Sequence, residues 1–199
     1  MVNKIKVLNL YAGIGGNRKL WENVEVTAVE NNKDIAKIYG EFFPEDNVVI
    51  ADAHEYLLKH FREFDFIWSS PPCQTHSKLR TLMKKVVYPD MTLYQEIILL
   101  RKWFKGKWVV ENVKPYYPTL LHGTEIQRHI LWTNFPLHSN KFKGDNIRRG
   151  TVESLEKHHG IEIRNFDVKN KRQLLRNCVA PKLGKHILNC AYSKQTKIW

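Results

Sequence analysis

The stretch KVLNLYAGIGGN, residues 6–17, joins a short apolar run to a turn with three glycines. Residues 6–10 predict a buried strand, and we expect a helix to begin near Asn17. Glycines after a strand let backbone approach a ligand and permit a positive φ. The dinucleotide fingerprint G-x-G-x-x-G is not met, because Arg18 occupies its last position. The turn therefore indicates a nucleoside ligand better than a nicotinamide or flavin cofactor.

Acidic residues follow the next two predicted strands. Glu30 follows residues 25–29, and Asp52 follows residues 48–50. Glu30 could accept hydrogen bonds from both ribose hydroxyls, and Asp52 from an adenine amino group. Carboxylates at strand ends also serve as plain helix caps, and glycine-rich turns as plain connectors. Together, at three successive strand ends, these features favour a nucleoside cofactor.

Strands and helices alternate along the first two thirds of the chain. Further strands are predicted at residues 64–68, 108–110 and 130–133, and helices at 34–43, 55–61 and 91–102. This alternation predicts an α/β fold with a doubly wound, mostly parallel sheet. Ligands of such sheets bind at the carboxyl ends of the strands, so we expect the loops after the strands to share one edge.

The periodicity fails after Phe135. Residues 135–171 are polar and basic, and we interpret them as a small lobe in which His158 and His159 are solvated. A helix is predicted again at 181–191, with Pro181 in its first turn. We therefore expect a main α/β domain at 1–134, a short basic lobe at 135–171 and a segment at 172–199 that returns to the main domain.

Positive charge is concentrated in the second half of the chain. The net charge of the 199 residues is +12. Residues 1–100 contain 12 Lys+Arg and 13 Asp+Glu, whereas residues 101–199 contain 20 and 7. This asymmetry is typical of a surface that binds a polyanion such as nucleic acid, although a basic surface can also serve solubility.

Several classes of protein are disfavoured by composition. Three cysteines do not form a disulfide framework, so we expect reduced thiols and a cytoplasmic protein. No apolar run approaches the length of a membrane helix, and the N-terminus shows no signal peptide. No C-x-x-C or H-E-x-x-H spacing occurs, so we expect no metal.

The stretch SSPPCQTHSK, residues 69–78, places a cysteine behind two prolines at the end of a predicted strand. Prolines end the preceding element and stiffen the residues after them, so Cys73 lies on a rigid loop. Most cysteines after a strand are inert and buried. The proline pair and the adjacent Gln74 favour a nucleophile instead.

Six blocks, YAGIGG, VEN, ADA, SPPCQ, VVENV and RNCVAP, occur in an order that resembles the DNA cytosine-5 methyltransferases. The resemblance covers residues 6–134 and 172–191. It implies a Rossmann-like fold that binds S-adenosylmethionine. The cofactor-binding positions that it implies are Tyr11, Ala12, Gly13, Gly15, Gly16, Glu30, Asn31, Asp52, Ala53, Pro71, Asn177, Cys178 and Val179.

The resemblance also implies a chemistry. Cys73 would attack carbon 6 of a flipped cytosine, which makes carbon 5 enamine-like and able to accept a methyl group. Because the thiolate is the active form, we expect the site to lower the pKa of Cys73. Glu111 would meet ring nitrogen 3, and Arg128 would contact the base and position the cysteine loop.

The chain departs from the family pattern where the target is recognised. Residues 135–171 are fewer than the family's recognition region, and Arg176 stands where a glycine is usual. We therefore expect a short target sequence in double-stranded DNA, or a helper subunit or second copy. The expected nucleic-acid contacts are Gln74, Ser77, Lys141, Lys143, Arg148, Arg149 and Arg164.

Two alternatives remain open at this point. A transfer-RNA cytosine-5 methyltransferase would carry the same blocks. A catalytically silent DNA-binding protein on the same scaffold would keep the fold, but intact Cys73 and Glu111 argue against it. A role in restriction-modification or in phage self-protection is compatible with a DNA methyltransferase.

Overall fold

A computed structural model describes residues 4–82, 85–138 and 147–192. Within these residues the strands are β1 (Ile5–Leu10), β2 (Val24–Val29), β3 (Asn47–Val49), β4 (Phe66–Ser69), β5 (Lys107–Val113), β6 (Thr124–Ile126) and β7 (His129–Thr133). The α-helices are α1 (Lys33–Phe42), α2 (Ala53–His60), α3 (Thr92–Trp103), α4 (Val152–His159), α5 (Lys171–Asn177) and α6 (Pro181–Tyr192). Short 3₁₀ turns lie at Phe61–Glu63, Lys78–Leu82 and Ile147–Arg149.

The strands form one sheet in the order β3-β2-β1-β4-β5-β7-β6. The first five strands in this order are parallel, and β7 runs antiparallel to both β5 and β6. The predicted doubly wound, mostly parallel sheet is confirmed. The winding reverses between β1 and β4, and a crevice at such a switch point is where α/β sheets bind ligands. The glycine turn follows β1 and the proline–cysteine loop follows β4, so both border this crevice.

Helices cover both faces of the sheet. Leu57 of α2 and Ile97 of α3 pack in one apolar cluster with Leu8 of β1. Ile187 of α6 packs in a second cluster with Val7 of the same strand, whose side chain points the opposite way. Successive residues of a strand face opposite sides, so the buried apolar residues of β1 contribute to both clusters.

The helix expected near Asn17 is not formed, and this prediction is corrected. Residues 11–20 form successive turns, with the N–H of Arg18 and of Lys19 both donating to the carbonyl of Gly15. The amide of Asn17 donates to the side chain of Asn9 at 2.8 Å, inside the protein. A buried polar side chain fixed in this way holds the segment against β1 and α6 before β2 begins.

The polar segment after Phe135 contains a helix, α4, that its weak sequence periodicity did not predict. Thr151 caps α4, and Gly160 ends it in the left-handed conformation at φ 61°. Leu155 of α4 packs with Ile14 and Ile38 of the catalytic part in one apolar cluster. His159 is buried, contrary to the expectation of a solvated pair. A few well-placed apolar residues suffice to dock a segment that is polar on average.

The described part of the chain contains no helix that is both long and apolar enough to cross a membrane.

Candidate active site

A cavity of about 260 Å³ opens at the carboxyl edge of the sheet. It lies at the switch point between β1 and β4, and all three expected catalytic residues line it. The expected site residues that share this cavity are Tyr11, Ala12, Gly13, Gly16, Glu30, Asn31, Pro71, Cys73, Gln74, Glu111, Arg128, Asn177, Cys178 and Val179. Residues that are far apart in sequence are therefore brought together as expected from the strand ends.

The glycine turn is open at Gly13, where a ligand could approach the backbone, and closely packed at Gly16. Gly13 adopts φ 56°, and a Cβ there would meet no atom within 4 Å. A Cβ on Gly16 would stand 2.7 Å from the carbonyl oxygen of Val179, so the turn touches the C-terminal segment closely. Gly15, at φ 80°, packs against Phe43 and does not line the cavity. Its contribution is to turn the chain.

Glu30 is fixed by the backbone around it. Its Oε2 accepts from the N–H of Gly13, and its Oε1 accepts from the N–H of Asn32, both at 3.0 Å. Each carboxylate oxygen has a further lone pair for a ligand hydroxyl. A carboxylate held by two donors at the mouth of an open turn is a suitable acceptor for a diol such as ribose.

Asp52 acts as a helix cap and also borders a second cavity. Its Oδ1 accepts from the N–H of Glu55 at 2.9 Å at the start of α2. It lines a cavity of about 330 Å³ that shares Tyr11, Asn31 and Pro71 with the first. Asp52 can therefore cap α2 and also bind a ligand, because its second carboxylate oxygen is not used by the cap. Ala53 is buried in the apolar cluster beneath and lines neither cavity.

Tyr11 joins the two cavities. Its φ is 55°, and its hydroxyl donates to Oε1 of Glu96 at 2.7 Å. Glu96 is fully buried on α3 and also contacts Nδ1 of His54 at 3.1 Å. Sequence inspection missed Glu96, because it lies inside the apolar periodicity of α3, and that position gave no signal of a ligand site.

The proline–cysteine loop is tied to β5 by side-chain hydrogen bonds. Ser70 accepts from the indole N–H of Trp68 at 2.8 Å and donates to Oε2 of Glu111 at 2.9 Å. Asn112 donates to the carbonyl of Pro71 at 2.9 Å. These contacts set the position of Cys73 relative to Glu111. Ser70 was not expected from the sequence, although it comes directly after β4 in the proline block.

The surroundings of Cys73 raise the pKa of its thiol. Burial is the largest cause, the carboxylate of Glu111 adds to it, and the guanidinium of Arg128 opposes it. The expectation that the site lowers this pKa is wrong for the protein without substrate. The half-buried thiol is therefore the resting form.

Glu111 is buried and paired. Nδ1 of His129 contacts its Oε1, and Ser70 donates to its Oε2. Burial raises the pKa of the carboxyl, but His129, Ser70 and Arg128 outweigh it, so the net pKa is lowered. The carboxylate is thus ionised in the resting site. His129 was noted in the sequence only as the residue after Arg128, and its contact with Glu111 depends on the antiparallel register of β5 and β7.

Arg128 binds the C-terminal segment. Its Nη2 donates to the carbonyl oxygens of Arg176 and Cys178, both at 3.0 Å. It also lines the cavity, and its charge acts on Cys73. One guanidinium thus contacts the wall formed by residues 176–178 and also acts on the thiol of Cys73.

The family model for C-5 cytosine-specific DNA methylases matches residues 5–119. The chain belongs to this family. No curated protein matches the chain. The methylase is similar in fold to three solved structures among others. A hypothetical protein of Thermus thermophilus has 18% identity and a TM-score of 0.46, with 65% of this chain and 74% of that chain covered.

The other two are a methyltransferase and a DNMT2. A SAM-dependent methyltransferase from Agrobacterium tumefaciens has 16% identity and a TM-score of 0.42, covering 59% of this chain and 41% of that one. A variant of DNMT2 from Spodoptera frugiperda has 27% identity and a TM-score of 0.41, covering 56% of this chain and 36% of that one. The methylase therefore spans less than half of the length of these two proteins.

S-adenosylmethionine is the cofactor of the methylase, and the crevice fits it. The open side of Gly13 and the fixed carboxylate of Glu30 meet the needs of an amino-acid-bearing nucleoside. The second cavity adds Asp52 as an acceptor beside Tyr11. Among the described residues, no three His, Cys, Asp or Glu side chains are grouped as metal ligands. That the methylase needs no metal stays a prediction.

The expected nucleic-acid contacts that the structure describes have different surroundings. Ser77 forms an isolated bridge with Pro115 beside the cysteine loop, and Arg149 is exposed. Arg164 pairs with buried Glu156 at 2.7 Å. Lys141, Lys143 and the side chain of Arg148 lie outside the described residues. Apart from Gln74, none of the described candidates lines the cavity, so their role in binding nucleic acid stays a prediction.

Proposed function

We propose that the methylase transfers a methyl group to carbon 5 of cytosine in double-stranded DNA, through covalent attack by Cys73. The observation that carries the proposal is the shared cavity of Cys73, Glu111 and the glycine turn. The description of the family and the basic second half of the chain support DNA as the substrate. The target base must leave the duplex to reach a cavity at a sheet edge, so we propose base flipping.

Cys73 is the proposed nucleophile. Its sulfur forms a bond to carbon 6 of cytosine, and the electrons of the 5,6 double bond move through the ring toward nitrogen 3. The raised pKa of the thiol means that its proton has to leave as the base approaches, and Arg128 favours the thiolate. Carbon 5 becomes electron-rich in this adduct. S-adenosylmethionine supplies the electrophilic methyl group.

Glu111 is proposed to stabilise the charge that develops on nitrogen 3. The carboxylate, ionised in the resting site, would take up a proton as the base enters and pass it to nitrogen 3 as the sulfur adds. Burial strengthens this interaction, because little water competes for the ring nitrogen. Ser70 fixes the rotamer of the carboxylate through its hydrogen bond to Oε2. Loss of the proton on carbon 5 and departure of the sulfur then complete the reaction.

The remaining site assignments are part of the same proposal. Glu30 and Asn31 would hold the ribose, Tyr11 and Asp52 the adenine, and the turn at Gly13 with residues 177–179 the methionine part. The domain division at 134 and 171 and a cytoplasmic role in restriction-modification are proposed as well. Because residues 135–171 are few, we propose a short target or recognition shared with a helper subunit or second copy. Mapping of methylated sites on random DNA checks this, and a strict target of six or more base pairs recognised by the lone monomer contradicts it.

The test is transfer of label from radioactive S-adenosylmethionine. The purified chain is incubated with unmethylated duplex DNA or with transfer RNA, beside the variants Cys73→Ala and Cys190→Ala. Cys190 is buried on α6 away from the cavity and is the matched control. Label at cytosine carbon 5 of DNA that is lost only in Cys73→Ala supports the proposal. Label in transfer RNA alone, or in neither nucleic acid, contradicts DNA methylation by this chain.

A further inference from the structure

Glu111 and His129 form a buried pair in the cavity. They lie on the neighbouring antiparallel strands β5 and β7. Nδ1 of His129 contacts Oε1 of Glu111, and the side chains of His129 and Glu111 are only 2% and 8% exposed, respectively. Both residues line the cavity that contains Cys73. A second titratable group thus touches the proposed acid.

The other nitrogen of this imidazole has no partner in the described part of the chain. Nε2 of His129 is buried there without a hydrogen bond. Glu111 is therefore the protein group with which the ring can exchange a proton. The other charged or titratable groups near the pair are Arg128, which acts electrostatically on Glu111, and Cys73, on which Glu111 acts in turn. Lys114, directly after β5, pairs instead with an exposed glutamate of β6.

We propose that His129 stores the proton that Glu111 delivers to nitrogen 3 of cytosine. This inference rests on the proposed function. As the sulfur of Cys73 bonds to carbon 6, its own proton leaves to water at the mouth of the cavity. The imidazolium of His129 passes its Nδ1 proton to the carboxylate of Glu111, and Glu111 passes a proton on to nitrogen 3. Glu111 is then a carboxylate again, and His129 is a neutral imidazole. After methyl transfer, carbon 5 loses its proton to water, the 5,6 double bond re-forms, and the sulfur leaves with the electron pair of its bond to carbon 6. Nitrogen 3 then returns its proton through Glu111 to His129.

His129 acts through Glu111 and is therefore a positioning residue. Proton storage by His129 can be distinguished experimentally from a purely electrostatic effect on Glu111. An arginine at this place would keep a positive charge beside Glu111 but would not release a proton at working pH. A glutamine would keep a hydrogen bond but would neither carry charge nor titrate. The two substitutions therefore distinguish a proton store from an electrostatic support.

The first test is the pH dependence of kcat for the wild type, His129→Gln and His129→Arg. We expect kcat of both variants to fall by about 100-fold at neutral pH, because general acid catalysis is weakened. The loss should shrink as pH falls, since Glu111 must then take its proton from solvent. The control His159→Gln removes an equally buried histidine outside the cavity and should keep the wild-type profile. An equal loss at all pH values, or full activity of His129→Arg, overturns the proposal.

The second test does not depend on methyl transfer. Proton NMR of the wild type should show a downfield, slowly exchanging Nδ1–H signal of His129 that disappears in Glu111→Gln. A signal that is absent, or unchanged in Glu111→Gln, overturns the proposal even if no nucleic acid is methylated. An inactive wild type that shows this signal contradicts the proposed function alone.

Discussion

Substitution of Gly16 by alanine tests the close contact between the glycine turn and the C-terminal segment. An alanine Cβ would stand 2.7 Å from the carbonyl oxygen of Val179 and 2.8 Å from Cβ of Cys178. Ordinary contacts begin near 3.4 Å, so this wall would have to retreat by roughly 0.7 Å. Arg128 opposes the movement, because it holds the carbonyl of Cys178.

The expected magnitude is that of overpacking in a tightly packed region. We expect Gly16→Ala to lower the free energy of unfolding by about 1–3 kcal/mol. For a chain of this size, the corresponding fall in Tm is about 2–12 °C. If the displacement of residues 178 and 179 weakens the binding free energy of S-adenosylmethionine by the same amount, its Kd rises by about 5- to 150-fold.

Calorimetry measures both quantities on the same protein. Gly40→Ala is the matched control, because Gly40 lies in α1 and a Cβ there would come no closer than 3.9 Å to Val48. That substitution should raise stability by up to about 1 kcal/mol and leave cofactor affinity unchanged. A Gly16→Ala protein with the Tm and the Kd of the wild type would show that the contact with Val179 and Cys178 is not tight.

Three further predictions concern individual charged groups. Glu30→Gln should weaken cofactor binding at least about tenfold by isothermal titration, because a charged acceptor is lost, whereas Glu25→Gln on the exposed side of β2 should bind normally. Arg128→Ala should slow iodoacetamide alkylation of Cys73 at any pH below its pKa, since removal of the guanidinium raises that pKa further; equal rates would contradict this. Burial, and to a lesser extent the neighbouring His158, lowers the pKa of His159 from 6.5 to about 4. Between these pH values the unfolded chain binds more protons than the folded one. The free energy of unfolding should therefore decrease as pH falls from 6.5 to 4. His159→Leu should flatten that part of the urea-denaturation profile by roughly 3 kcal/mol, and an unchanged slope would contradict the assignment.

The sheet and the shared edge could be predicted because their signals are local. The apolar run of β1, the glycines behind it and the proline pair before Cys73 each have a short-range physical meaning. Turn formation at Asn17 could not be predicted, because it depends on a buried amide contact with Asn9 and on packing against α6. Tertiary contacts of this kind override helix propensity.

The pKa shifts in the site could not be predicted from the sequence either. The direction of the Cys73 pKa shift depends on burial and on the distance to Glu111, neither of which a motif specifies. The partner of Glu111 is set by strand register, which brings together residues that are 18 positions apart. The docking of α4 likewise rests on Leu155 within a segment of polar composition. Residue types were therefore predictable, whereas their protonation and their partners were not.

The double hydrogen bond of Arg128 to the carbonyls of Arg176 and Cys178 has a thermodynamic consequence. The arginine borders the place proposed for the base, and the two carbonyls belong to the wall proposed for the cofactor. A change in the position of Arg128 when the proposed base binds would therefore alter cofactor affinity, and linkage requires the reverse effect to be equal in size. One side chain thereby couples the affinity of the proposed base site to that of the proposed cofactor site.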